Sequence, residues 1–282
     1  MKKGLFFLFL AFMLMVMAAC GSTEDASGGD TEEAPVEDTT EEAQEEDGDA
    51  TSDADLETYQ VVTDNNYRPF EFLDESGELV GFDIDLMNAI ADEAGFVVEF
   101  EQMEFAGIVA AIASERFDAA IAGMTITEER KESIDFSIPY YDAGLILAVQ
   151  YDNEDITSID DITADHSVAT RTGSTSENFL SENTDASIEA FPEITEAYQN
   201  TIQGRSDAVL YDLPNVLYYA ETASEGQLKI VGELLAGEQY GIAFPQGSEL
   251  KAKVDAALET LMEDGTYGDI YEKWFGSRPE GM

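Results

Sequence analysis

Apolar and polar positions change period repeatedly along this chain. Residues 58–63 form a short β-type run, 82–94 repeat at helical spacing, 97–100 are apolar and extended, and 107–114 are helical again. The alternation resumes with a strand over 167–170, a helix over 174–180, a strand over 208–211 and a helix over 214–221. Two further helices are predicted near 250–262 and 267–274. Strand following helix in this way predicts an α/β fold. Between the two halves stands Tyr140-Tyr141-Asp142-Ala143-Gly144, and after the second comes Glu238-Gln239-Tyr240-Gly241. Two such crossings predict one lobe inserted into another, with residues 58–141 plus 241–282 as the first lobe and 142–240 as the second. Residues 140–142 and 238–240 are then the hinges of a closing clamp.

The first twenty residues belong to a different pattern. Lys2 and Lys3 precede an apolar run, 4–19, that ends in small residues before Cys20, the shape of a secretory signal. A permanent spanning helix is the weaker reading, because the run stops at Cys20 and continues as Gly-Ser-Thr-Glu. Small residues directly before a cysteine resemble a bacterial lipobox, although Met17 stands where Leu is usual. The resemblance implies a signal peptide over 1–19, lipid on Cys20, and a location on the outer face of the cell membrane. The alternative is an ordinary signal peptide cut near Ala19. With one cysteine in the chain, no intramolecular disulfide is available.

Residues 21–57 hold sixteen acidic side chains, no basic ones and no aromatic, so they cannot bury enough apolar surface to offset their ordering entropy. With Cys20 they are expected to form a disordered spacer, 20–57, between membrane and folded part. The other 45 acidic residues, against 11 basic ones, leave residues 58–282 at a formal charge of −34. That excludes a nucleic acid as partner, which requires a basic surface. Self-repulsion of this size is relieved where salt shortens the Debye length to ~3 Å at 1 M, which predicts a salt-tolerant source.

Gly81-Phe82-Asp83-Ile84-Asp85-Leu86 resembles the signature of the family 3 extracellular solute-binding proteins, the polar-amino-acid receptors of ABC importers. Physically, Asp83 is expected to cap the helix start, and both carboxylates suit its positive end; a metal pair is the lesser alternative. The resemblance runs from about Thr58 to Gly276. It includes Thr63-Asp64, Tyr67-Arg68-Pro69-Phe70-Glu71-Phe72, Phe105-Ala106-Gly107-Ile108 and the stretch from Ala122 to Arg130. It continues through Arg171-Thr172-Gly173-Ser174, the stretch from Asp207 to Asn215, Gln239-Tyr240-Gly241, and Trp274-Phe275-Gly276. It is strongest toward the family's glutamine receptors and implies a two-lobed type II periplasmic-binding-protein-like fold, each lobe a β-sheet flanked by helices, joined by two hinge strands.

For a zwitterionic ligand the resemblance implies a division of roles. Arg130, with Met124 and Thr125, would hold the ligand's carboxylate, joined by N–H groups of the turn that ends at Thr175. Thr175 departs from the family's usual Gly. Asp212 would accept from the ammonium group with the carbonyl of Gly123, or serve as a helix N-cap. Tyr67 and Phe105 would sandwich the aliphatic stem. Asp64 and Arg171 would read the two ends of a side-chain amide, repelling acidic and basic ligands respectively. Arg171 replaces the family's Lys, and Tyr211 a usual His, so the pocket size differs from that of the glutamine receptors.

The implied function is capture of a free amino acid, glutamine first, by a monomer that delivers it to ABC importer permease subunits, without cofactor, metal or catalysis. A dehydratase on the same fold is the main rival, but the only histidine, His166, has no nucleophile at catalytic spacing. A sensory domain would bind the same ligand and differ in a following transmembrane helix.

Overall fold

A computed structural model describes residues 56–279; the predicted signal peptide 1–19, Cys20 and the spacer up to residue 55 lie outside them. The first β-patterned run is β1 (Thr58–Thr63), whose last three side chains are buried. Three very short strands, β2 (Asn66–Tyr67), β3 (Glu71–Leu73) and β4 (Leu79–Val80), then pair antiparallel in a small sheet of their own. Helix α1 (Phe82–Ala94) covers the residues its spacing predicts and stops at Gly95 in the left-handed conformation. β5 (Val97–Gln102), α2 (Phe105–Ala113), β6 (Ala119–Ala120), the one-turn α3 (Glu128–Lys131) and β7 (Ile134–Phe136) follow.

The long β8 (Tyr141–Gln150) carries the chain into the second lobe. There β9 (Ser167–Arg171), α4 (Thr175–Asn183), β10 (Ser187–Phe191), α5 (Ile194–Ile202), β11 (Ala208–Asp212), α6 (Leu213–Thr222) and β12 (Leu228–Val231) alternate. β13 (Gly237–Tyr240) pairs antiparallel with the start of β8, so the two crossing segments run side by side. The chain then returns through β14 (Ala243–Pro245), α7 (Leu250–Asp264) and α8 (Thr266–Phe275).

The first sheet has the order β5-β1-β6-β14-β7, and the second β10-β9-β11-β8-β12. β14 lies between β6 and β7, antiparallel to both, so the returning chain completes the sheet begun by β1. Buried side chains explain the layering. Phe82, Leu86, Met87 and Ile90 of α1 pack with Val254, Leu258 and Leu261 of α7. Each such burial contributes about 1.5–3 kcal/mol. Ile108 and Ile112 of α2 cover the opposite face of the same sheet. In β8, Ile146 and Ala148 face one side while Leu145, Leu147 and Val149 face the other, and all five are buried, as expected of a central strand covered on both faces.

One expectation fails. Asp83 does not cap α1: the N-cap position is Gly81, and no side chain bonds there. Asp83 is instead fully buried, accepting from the Gly123 N–H at 2.8 Å and the Tyr140 hydroxyl at 2.9 Å. Two residues into the helix, its side chain points inward rather than back over the first turn. Asp85 points outward and ties α8 to α1, through Lys273 Nζ and Trp274 Nε1, each at 2.6 Å.

Candidate functional site

The first lobe's wall of the cleft is set by loops after its strands. Asp64 follows the last residue of β1, and Tyr67 ends β2 with its ring stacked on Phe70 at 5.1 Å. Phe105 opens α2. Gly123 has φ +51°, and a Cβ there would lie 2.3 Å from the Tyr67 ring, so only glycine lets this loop pass beneath the aromatic. Met124 is fully buried against α2, and its carbonyl accepts from Gly241 N–H at 3.0 Å. Thr127 caps α3 by accepting from the Arg130 N–H at 3.1 Å. That short turn folds Arg130 back, so Nη1 donates to the Thr125 carbonyl at 2.7 Å.

The second lobe's wall comes from the carboxyl ends of β9 and β11. Arg171 ends β9, and the turn Thr172-Gly173-Ser174 leads into α4, where Ser174 caps the Glu177 N–H. The Gly173 N–H is taken by Glu177 Oε2 at 2.7 Å, so the turn's contribution falls to the first N–H groups of α4, those of Thr175 and Ser176. Asp212 occupies the N-cap position of α6, but its side chain makes no capping bond. It accepts from Tyr67 Oη at 3.0 Å and Tyr240 Oη at 2.5 Å.

These contacts join the lobes. Arg171 Nη2 donates to Asp64 Oδ2 at 2.5 Å, with side chains 1% and 2% exposed. Arg130 Nη2 reaches the Gly173 carbonyl at 3.2 Å, and Asn215 Nδ2 the Arg68 carbonyl at 2.5 Å. Phe105 lies beneath both guanidinium groups, 5.5 Å from that of Arg130 and 5.0 Å from that of Arg171. The lobes are therefore closed on each other. The sequence-predicted residues line both sides of this contact, and Tyr211, buried at the second wall, packs edge-on to Tyr67 at 5.8 Å.

Charge is distributed unevenly. Arg171 also donates from Nε to the Pro192 carbonyl at 3.1 Å. Arg130 has no carboxylate within ion-pair distance among the described residues. Desolvation pulls its guanidinium below the ordinary range. Asp212 is pushed upward by burial, against the pull of Tyr240 and Tyr67, and its Oδ1 is buried with no partner. Beneath the wall, burial raises Asp83 to about 6 and Glu71, fully buried beside it, well above the usual carboxylate range.

The sequence reading missed Glu238 as a site residue and took it only for hinge. On β13 its Oε2 accepts from Thr125 Oγ1 at 3.1 Å. Strand alternation with Tyr240, two residues on, is the signal that would have found it.

Residues 59–277 match the family model of the bacterial extracellular solute-binding proteins, family 3. The putative ABC transporter arginine-binding protein 2 of Escherichia coli strain K12 is 33% identical over 233 residues, which cover 78% of this chain and 91% of that protein. The ABC transporter glutamine-binding protein of Bacillus subtilis strain 168 is 32% identical over 285 residues, 95% of each. Among solved structures, an ancestral arginine-binding protein bound to arginine aligns with a TM-score of 0.74 at 46% identity, covering 78% of this chain and 98% of that one. An ancestral arginine-binding protein bound to glutamine, also 46% identical with the same coverage, gives 0.73.

Proposed function

This chain belongs to the bacterial extracellular solute-binding proteins of family 3, and from that premise we propose that it captures a free polar L-amino acid, glutamine first, and delivers it to the permease of an ABC importer. Lipid on Cys20 holds it to the outer face of the membrane in this reading, with residues 1–19 as signal peptide and the acidic spacer setting its reach. Residues 58–141 plus 241–282 and residues 142–240 act as the two jaws, and the protein works as a monomer.

The observation that carries the reading is the pair of unmatched charges at one end of the cleft. Asp212 keeps a buried oxygen without a partner, and Arg130 is held by carbonyl oxygens alone. A free amino acid brings an ammonium for the first and a carboxylate for the second, each worth ~1.5–3 kcal/mol as a charged hydrogen bond. The Gly123 carbonyl, Met124 and Thr125 backbone and the N-terminus of α4 at Thr175 complete the two ends. Tyr67, Phe105 and Tyr211 enclose the stem.

At the other end Asp64 and Arg171 neutralise each other. A ligand guanidinium has to compete with Arg171 for Asp64, and a ligand carboxylate with Asp64 for Arg171, whereas an amide donates to one and accepts from the other without displacing either. This favours glutamine over arginine, the ligand in the names of several relatives. Closing brings the two walls into contact, so affinity for the closed form drives the population shift.

Calorimetry of the full chain against glutamine, arginine, glutamate, histidine and cystine tests the assignment. Micromolar or tighter glutamine binding, with arginine and glutamate weaker, is expected. Tight arginine binding with no glutamine signal contradicts the Asp64 and Arg171 argument.

A further inference from the structure

The carboxylate end of the cleft contains an acid that the ligand reading does not use. β13 is a hinge strand, and its alternation sends Glu238 and Tyr240 to the cleft side while Gln239 turns away, its Nε2 donating to Asp142 at 2.9 Å. Tyr240 supports Asp212, the ammonium partner. Glu238 instead accepts from the hydroxyl of Thr125, on the loop assigned to the ligand carboxylate. Thr175, at the start of α4 in the other lobe, stands close enough that its hydroxyl also lowers the proton affinity of this carboxyl. One side chain on the hinge is thus bonded to the first jaw and faces the second at the place where they grip.

Resting on the amino-acid reading above, we propose that Glu238 is a proton-coupled binding residue, taking up a proton as a ligand's α-carboxylate docks on Arg130 and Thr125.

The charges facing it set the direction. Asp212, at the end of β11, repels a charged Glu238, and Arg130 of α3 attracts it. Glu129 beside Arg130 faces that guanidinium, and Glu177 of α4 is engaged with the Gly173 N–H. From β8, Asp142 is bonded on the opposite side, to Gln239. Burial first, and Asp212 second, push Glu238 up to about 7, against the pull of the Thr175 and Thr125 hydroxyls and of Arg130. With the lobes closed it therefore titrates near neutral pH.

A docked carboxylate neutralises Arg130 and adds a negative charge close by, so both changes disfavour the Glu238 anion. Once protonated, Glu238 donates a hydrogen bond. Its proton affinity is then higher in the complex than in the free protein, and binding takes up protons over the interval between the two values. Affinity is greatest in acid and falls as pH rises through about 7, the value Glu238 takes with the lobes closed. Asp212 works with the opposite sign, because an ammonium ligand lowers its proton affinity. Its influence weakens binding toward acid. The two limbs separate by mutation.

The test measures dissociation constants of the full chain for L-glutamine and L-arginine between about pH 6 and about pH 8.5, in two buffers of different ionisation heat, with the limit for one proton about tenfold per pH unit. Expected are a Kd that rises at least about threefold across the range and a heat that depends on buffer in the sense of proton uptake. Glu238→Gln is expected to flatten both while binding as tightly as the wild type does in acid. A wild-type Kd constant within about twofold, buffer-independent heat, or a Glu238→Gln variant that keeps the wild-type slope overturns the proposal. Failure of both probes to bind at any pH overturns the amino-acid reading and this proposal with it, whereas pH-independent binding overturns this proposal alone.

Discussion

The two ends of the cleft each carry an acidic and a basic side chain, and they treat them in opposite ways. Asp64 and Arg171 form one nearly inaccessible pair, and the guanidinium is further engaged by the Pro192 carbonyl. Arg130 and Asp212 make no such pair. One is held by carbonyl oxygens, and the other retains a buried oxygen with no partner. Burying a charge is tolerable only when it is matched, so an unmatched pair is built for a ligand that supplies both counterparts. A matched pair favours a neutral group. On the proposed reading, the unmatched end takes the ligand's ammonium and carboxylate and the matched end meets its side chain.

The largest effect is expected from removing an unmatched charge. Arg130→Ala or Asp212→Ala each deletes a charged contact and leaves the ligand's own charge buried, at a cost of ~3–5 kcal/mol, or roughly a hundred- to several-thousand-fold in Kd. Losses below about fivefold in calorimetry would make the two ends equivalent and break the comparison. Next comes Asp64→Ala, which strands Arg171 in the closed form. Up to about 3 kcal/mol of closing energy is lost, less than for a permanently buried pair, because opening lets the guanidinium regain water. The radius of gyration with saturating ligand reads this, and an expansion toward the open form is expected. Replacing Asp64 and Arg171 together by apolar residues should close better than the single variant. The smallest effect is a change of preference: Arg171→Ala leaves Asp64 unpaired, which should move the arginine-to-glutamine affinity ratio about tenfold toward arginine, ~1.4 kcal/mol. An unchanged ratio would mean that this pair does not read the side chain.

Much of the fold was legible because it depends on local periodicity. The helix over 82–94 is bounded by Gly81 and Gly95, and its apolar stripe is unbroken. β1, β9 and β11 are short runs rich in β-branched and small apolar residues. The three-stranded sheet of β2, β3 and β4 was not predicted, since strands of two or three residues carry no period. Nor was β10, a half-buried strand with weak alternation, nor α5, although its buried Ile194, Ala197, Tyr198 and Thr201 keep helical spacing.

In the site, the residues were legible as types attached to recognisable segments, but their pairings were not. Asp64 and Arg171 are 107 residues apart, and Tyr67 and Asp212 are 145 apart. Asp83 illustrates the same limit. Its place near a helix start favours a cap on local grounds, and only the loop at Gly123 and the ring of Tyr140, brought in by the sheet and the crossing strand, turn it inward. Glu238 was legible as part of a crossing, but its position opposite Thr125 depends on how β13 lies against that loop, where the Ile126 N–H donates to the Gln239 carbonyl at 2.8 Å.

The central claim is that the unmatched end takes the ligand's ammonium and carboxylate, and calorimetry with glutamine beside its N-acetyl and α-amide derivatives tests it most directly. All three compounds carry the same side chain and differ only at the charges assigned to Asp212 and Arg130. Tight binding of glutamine, with both derivatives weaker by at least about a hundredfold, is the predicted result. Derivatives that bind as tightly as glutamine itself would contradict it.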